Sequence, residues 1–370
     1  MILKFLSIVN FKNYQNLQIE FSNNINCFLG NNGIGKTNLL DSIFYLSFCR
    51  SYFNSSDVDN IHYGDNFFMI RGDYEDENNN HNKIHCSLRN KKKAFKFNDK
   101  KYNKLSEHIG KVPLVIITPL DSNLIMGGSE TRRKFFDMLI SQIDSNYLQN
   151  LMSYNKLIKQ RNSLLKQFDS IANSIDLLNT YDAALVDFGY KIYLKRNEVV
   201  NLIIKNVQDY YNTISDNLEL IDIEYNSQLS RGQFNDLLIQ NRKKDQILKH
   251  TSVGIHRDDF IFKLNTHSIK TSGSQGQQKS FIISLKFAYF DLLKSILNIS
   301  PILLLDDIFD KLDNSRLENI IRILNKHIFG QIFITDTNFT LINSVMKKVD
   351  NSCKYFIFNN LGSYEEKFKK

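Results

Sequence analysis

Residues 30–37, Gly-Asn-Asn-Gly-Ile-Gly-Lys-Thr, fit the spacing G-x-x-x-x-G-K-[ST]. In that pattern the glycines let backbone N–H groups approach phosphates at the start of a helix. Lys36 then reaches the β- and γ-phosphates, and the Thr37 hydroxyl ligates Mg²⁺. Residues 302–307, Ile-Leu-Leu-Leu-Asp-Asp, read as an apolar strand ending in paired carboxylates. Asp306 is expected to hold Mg²⁺, directly or through water, and Asp307 to orient or deprotonate a water attacking the γ-phosphate. A third segment, Ser274-Gln275-Gly276-Gln277-Gln278, opens a helix shortly before that strand. The Ser274 hydroxyl with the amides of Gly276 and Gln277 makes a second anion site. Its plainer reading is a capping box, with Ser274 as N-cap and Gln277 at N3.

The elements around these segments are in the order the chemistry requires. Alternation in Leu3, Phe5, Ser7 and in Leu17, Ile19, Phe21 predicts an antiparallel hairpin turning near residues 13–16. Ile25 to Leu29 is a short strand feeding the glycine loop, and Leu39, Leu40, Ile43 and Phe44 share one face of the helix that follows. Strands are expected at 67–71, 84–88 and 94–97, with a buried one at 112–118. Between about 129 and 215 the period becomes helical, and no seven-residue repeat persists long enough for an extended coiled coil. Some 270 residues separate Lys36 from Asp306, too many for one βα connection. The fold class is therefore α/β, with residues 1–120 and 250–370 forming one nucleotide-binding domain and 121–249 an inserted helical lobe.

The chain has 47 Lys and Arg against 39 Asp and Glu, a formal net charge of +8, which favours a polyanionic partner such as nucleic acid. Basic residues gather at Arg132, Arg133 and Lys134, then at Lys156, Lys159, Arg161 and Lys166, and at 89–101 in the β region. Such groups could neutralise phosphates without reading sequence, and Arg132, Arg133, Lys134, Lys159 and Arg161 are the expected DNA contacts. Four scattered cysteines without metal spacing argue against a zinc knuckle or a disulfide framework and fit a reducing cytoplasm. No segment reaches the roughly 18 apolar residues of a membrane span, so a cytoplasmic protein is expected.

These segments together resemble the RecF family of the SMC/ABC class of ATPases. The likeness takes in Asn10-Phe11-Lys12-Asn13-Tyr14, the run Gly35-Lys36-Thr37-Asn38-Leu39-Leu40, and Cys49-Arg50-Ser51-Tyr52. It continues through residues 129–137, Gly254 to Asp259, Ser274 to Gln278 and residues 306–313. The resemblance implies an ABC-type ATPase head that binds ATP and Mg²⁺ through Gly30, Asn31, Asn32, Gly33, Ile34, Gly35, Lys36, Thr37 and Asn38. It implies that Ser274, Gly276 and Gln277 act in trans, closing on the γ-phosphate held by a second protomer. It also implies an ATP-dependent homodimer on DNA at single-strand gaps or junctions, slow hydrolysis, and cooperation with RecR, RecO and RecA. Leu312-Asp313 would lie at the dimer seam, and Asp336 stands where a transporter would carry its switch histidine. A transporter subunit is disfavoured by the helical insertion and the basic balance. A non-enzymatic ATP-binding scaffold is the alternative from another class.

Overall fold

The computed structural model describes residues 1–168, 174–216, 219–309, 313–325, 329–349 and 352–369. They form two units, one of residues 1–121, 212–217 and 283–370, the other of residues 122–211 and 218–282.

The first unit opens with the expected hairpin, β1 (Ile2–Phe11) and β2 (Tyr14–Glu20), joined at Lys12 and Asn13. Strand β3 (Ile25–Gly30) leads through the glycine loop into α1 (Lys36–Phe48). Next come β4 (Phe67–Glu75), β5 (His81–Arg89), β6 (Lys92–Phe97), the two-residue β7 (Lys100–Lys101) and β8 (Leu114–Ile117). An antiparallel sheet in the order β2-β1-β4-β5-β6-β7 results.

The second unit holds α2 (Asn123–Met126), α3 (Ser129–Ile143), α4 (Ser145–Lys166) and most of α5 (Ser174–Ser215). It also holds β9 (Ile221–Asn226), α6 (Phe234–Leu248), β10 (Asp259–Leu264), β11 (His267–Ser268) and α7 (Ile269–Ser272). Strands β11, β10 and β9 form a small antiparallel sheet. Helix α8 (Gln275–Leu297) begins in this unit, and its residues from Ile283 onward belong to the first. The expected return to the nucleotide-binding unit at residue 250 is therefore corrected to residue 283. The sheet strands β9 and β10 hold 250–282 in the helical unit, and their short alternating stretches were hidden beside the long helical pattern.

The first unit is completed by β12 (Ile302–Asp306), α9 (Asn314–Leu324), β13 (Ile332–Asp336), α10 (Phe339–Lys347), β14 (Cys353–Asn360) and β15 (Ser363–Lys369). Its second sheet runs β15-β14-β3-β13-β12-β8, all parallel except β15. All five residues of β12 and of β13 are buried, as unbroken apolar runs between two covered faces should be. Register aligns Asp336 with Leu29 and Asp306 with Thr335, so β3, β13 and β12 end level with one another. Carboxyl ends of parallel strands are where open α/β sheets bind ligands.

Candidate functional site

The glycine loop lies between the end of β3 and the first turn of α1. Gly35 is the N-cap of α1 with φ near 100°, and no side chain caps the helix, so its first N–H groups point toward the loop. A Cβ on Gly35 would stand 2.7 Å from Asn13 Nδ2 and 2.8 Å from the Tyr14 hydroxyl oxygen. The hairpin turn carrying Asn13 and Tyr14 thus braces the loop from behind, and only glycine fits. Asn13 Oδ1 also accepts a 2.8 Å hydrogen bond from Asn38 Nδ2, and Lys12 pairs with buried Asp41 at 2.6 Å.

Lys36 is almost wholly buried and donates from Nζ to the carbonyls of Gly30 (2.7 Å) and Asn31 (2.9 Å). Burial pulls its ammonium below the usual lysine range, opposed by Asp307, Asp306 and Asp336. Asn31, Asn32 and Gly33 are exposed at the loop crest.

Thr37 Oγ1 donates to both oxygens of Asp306, at 2.9 and 3.1 Å, joining the glycine loop to the carboxylate strand. Thr335, at the end of the intervening β13, donates to Asp306 Oδ1 at 2.6 Å. The N–H of Asp307 reaches the Thr335 carbonyl and hydroxyl oxygens, both at 3.2 Å. Asp307 itself turns into the left-handed region, φ near 48°, as the chain leaves the strand. Burial raises the Asp306 carboxyl above the usual range, and its hydroxyl donors partly offset this. Asp336 is also raised by burial and then by Asp307, while its Oδ1 accepts from Asn338 N at 2.7 Å.

Among the described residues no cluster of three or more His, Cys, Asp or Glu could hold a metal by itself. Thr37 and Asp306 offer only oxygen donors, which fits Mg²⁺, a hard ion that takes few protein ligands and completes its shell with phosphate and water. A cleft of about 740 Å³ opens beside Thr37 and Asn38 and is lined by Lys12, Phe53, Ile61, His62 and Tyr63. Its walls were not legible in the sequence, because the segment 53–63 has no strong period.

In the second unit, Ser274 N donates to Gln277 Oε1 at 2.7 Å and Ser274 Oγ accepts from Gln277 N at 3.2 Å. This is the capping box of the plainer reading. Gln277 Nε2 also donates to Glu219 Oε1 at 2.7 Å. Ser274 is exposed and Gly276 half-buried. In the 306–313 motif, residues 310–312, including Leu312, lie outside the described residues, while Asp313 caps α9 by accepting from Arg316 N.

The expected DNA contacts divide. Arg161 is corrected: it is fully buried, with ion pairs to Asp182 and Asp245 at 2.7 Å each, and cannot meet a phosphate. Arg132 is likewise committed to the fold through a two-pronged pair with Asp259 and hydrogen bonds to the carbonyls of Leu124 and Gly127. Arg133 donates to Ser129 Oγ and the Asp258 carbonyl. Lys134 is exposed beside Glu130, one turn earlier on α3, and Lys159 is exposed on α4.

A family model for the RecF/RecN/SMC N-terminal domain matches residues 2–360. The DNA replication and repair protein RecF of Phocaeicola vulgatus is 44% identical over 361 residues, 96% of each chain. The chain belongs to the RecF family. RecF of Flavobacterium johnsoniae is 45% identical over 359 residues, covering 96% of this chain and 99% of that one. A recombination mediator RecF solved with ATP superposes with a TM-score of 0.88 at 30% identity, covering 99% of this chain and 97% of that one. An Smc head bound to a winged-helix domain of ScpA, 14% identical with a TM-score of 0.59, shares the fold. The architecture is thus the ABC-type ATPase head of RecF and SMC proteins, with a helical lobe and no long coiled coil among the described residues. No described helix is long and apolar enough to cross a membrane.

Proposed function

We propose that this RecF-family chain is an ATP-driven switch of DNA repair and replication. The observation that carries the reading is the chain of oxygens from Thr37 through Asp306 to Thr335, at the level where the glycine loop begins. The N–H groups of residues 33–38 and Lys36 would take the β- and γ-phosphates, with Lys36 exchanging its two loop carbonyls for phosphate oxygens. The cleft lined by Phe53, His62 and Tyr63 would take the base and ribose. Thr37 and Asp306 would hold Mg²⁺, which supplies neutralising charge to the phosphates when bound. Asp307 would orient the attacking water and accept its proton, and a short carboxylate in that role favours slow turnover.

Ser274, Gly276 and Gln277 of one protomer would close on the γ-phosphate held by its partner, opening the capping box as they do. ATP then acts as differential glue, because it contacts both protomers only in the closed dimer. The dimer would clamp DNA at single-strand gaps or junctions, with RecO, RecR and RecA as the partners that family membership suggests, and hydrolysis would release it. A cytoplasmic location accords with this reading. Asp307→Asn should bind Mg-ATP with near wild-type affinity and accumulate as a dimer, read by size-exclusion with light scattering and by phosphate release. Hydrolysis at the wild-type rate would remove Asp307 from its role.

A further inference from the structure

The net positive charge of this chain equals that of one segment. Residues 83–104 contain nine Lys or Arg and one acid, Asp99, a formal charge of +8. The whole chain is also +8, so the remaining residues balance at 38 basic against 38 acidic. The basic residues therefore do not reflect a uniform lysine-rich composition.

The fold lays this segment out as β5, β6 and β7, one side of the antiparallel sheet of the first unit. Register sets Arg71 opposite His85, His85 opposite Lys96, and Lys96 opposite Lys101. Side chains alternate along a strand, so this row lies on the face away from buried Ile70, Cys86 and Phe95. Directly opposed like charges weaken a sheet. Arg71 is compensated by Asp73, at 2.9 and 2.7 Å. Lys83, Lys96 and Lys101 have no ion pair among the described residues, whereas Lys93, on the opposite face, pairs with Asp57 at 2.6 Å. The imidazolium of His85 is held below the usual histidine range by burial first, then by Lys96 and Arg71, with Asp99 opposing. Its Nδ1 is buried without a hydrogen-bond partner among the described residues. Edge lysines can also guard a sheet against pairing with other strands. That accounts for Lys100 and Lys101 on β7, but not for Lys83 on β5 or Lys96 on β6, which are interior strands.

From this placement we infer that the outer face of β5, β6 and β7, through Lys83, Arg89, Lys92, Lys96 and Lys101, is a docking surface for the phosphodiester backbone of DNA. The inference rests on the DNA-binding reading above and locates its contacts in the first unit. Lys96 opposite Lys101 and Arg89 opposite Lys92 are cation pairs one strand apart, about 4.8 Å, and such pairs neutralise a backbone without reading bases. The repulsion between directly opposed Lys96 and Lys101, which no ion pair among the described residues offsets, is relieved when phosphates lie over them.

The test is the salt dependence of binding to a fluorescent gapped duplex by the full chain and by the double variant Lys96→Gln/Lys101→Gln. If both lysines meet phosphates, the slope of log affinity against log salt shrinks by about 1.8. Between 50 and 200 mM salt the wild type then loses roughly 12-fold more affinity than the variant. Relief of the opposed charges should also raise the melting temperature of the free variant by about 1–2 °C. Wild-type DNA binding with the same slope in the variant would overturn this surface and leave the DNA-binding reading standing. No wild-type binding to any duplex or gapped DNA would overturn both. If the variant instead loses binding to phosphatidylserine vesicles while its DNA slope is unchanged, the face serves a membrane and the inference is wrong.

Discussion

Replacing Thr335 by Val removes one hydroxyl and almost no volume. That hydroxyl is fully buried, donates to Asp306 Oδ1 at 2.6 Å and accepts one of the two bonds from Asp307 N. A hydrogen bond to a charged group contributes about 1.5–3 kcal/mol, and losing it disfavours the ionised form of Asp306 by that amount. Thr37 still donates to both Asp306 oxygens, so the lower end of the range applies. At about 1.4 kcal/mol per factor of ten, the Mg²⁺ concentration for half-maximal ATP turnover should rise roughly tenfold. Asp307 keeps its bond to the Thr335 carbonyl, so turnover at saturating Mg²⁺ should fall less. Thr335→Ser restores the donor and should return the Mg²⁺ dependence to within about threefold of wild type. The assay is a Mg²⁺ titration of phosphate release at fixed ATP, with thermal melts to confirm folding. An unchanged Mg²⁺ midpoint in folded Thr335→Val would refute the argument that Thr335 holds Asp306 for the metal.

Asp336→Asn keeps an acceptor for Asn338 N and removes a carboxylate whose pKa is raised by burial and then by Asp307. A raised acid binds its proton more tightly in the folded state, so its contribution to stability is fully present below the unfolded pKa and is lost as pH rises through the folded value. The nucleotide-free variant should melt above wild type at pH 7.5, and the difference should vanish toward pH 4; an equal difference at both would show that ionisation is not the cause. Arg161→Ala leaves buried Asp245 without its cation and Asp182 with Arg242 alone, and should cost about 3 kcal/mol in urea unfolding, while the folded fraction keeps its salt slope for DNA. A full-stability variant with a reduced slope would return Arg161 to the DNA surface. Gly35→Ala drives a methyl group into Asn13 and Tyr14 at positive φ, so calorimetry should find ATP binding weakened at least tenfold, and wild-type affinity would show that the loop is not braced there.

The nucleotide unit was legible where spacing is fixed by covalent geometry. A phosphate loop needs Gly35 and Lys36 in sequence, and a fully buried parallel strand such as β12 needs an unbroken apolar run. Thr335 was missed because its partner, Asp306, lies 29 residues away, and only the β12–β13 register brings the two together. The role of Asn13 and Tyr14 behind Gly35 is of the same kind, a long-range contact across a hairpin turn. Arg161 misled because charge in a helical pattern reads as solvated, whereas Asp182 and Asp245 reach it from α5 and α6. The strands β9 and β10 were hidden for another reason: each is six residues long, within the range where strand and loop patterns overlap. The concentration of charge at 83–104 was present in the composition, but its meaning depended on strand register.

In the proposed switch, ATP closes two copies of this chain through the Ser274 segment. Sedimentation velocity of wild type and Ser274→Arg, with Mg-ATP and with or without gapped duplex, tests it most directly. Wild type should dimerise with ATP and retain the DNA, while Ser274→Arg should bind ATP but stay monomeric. A wild type that stays monomeric with ATP, and holds DNA equally well without nucleotide, would contradict it and favour an ATP-binding scaffold.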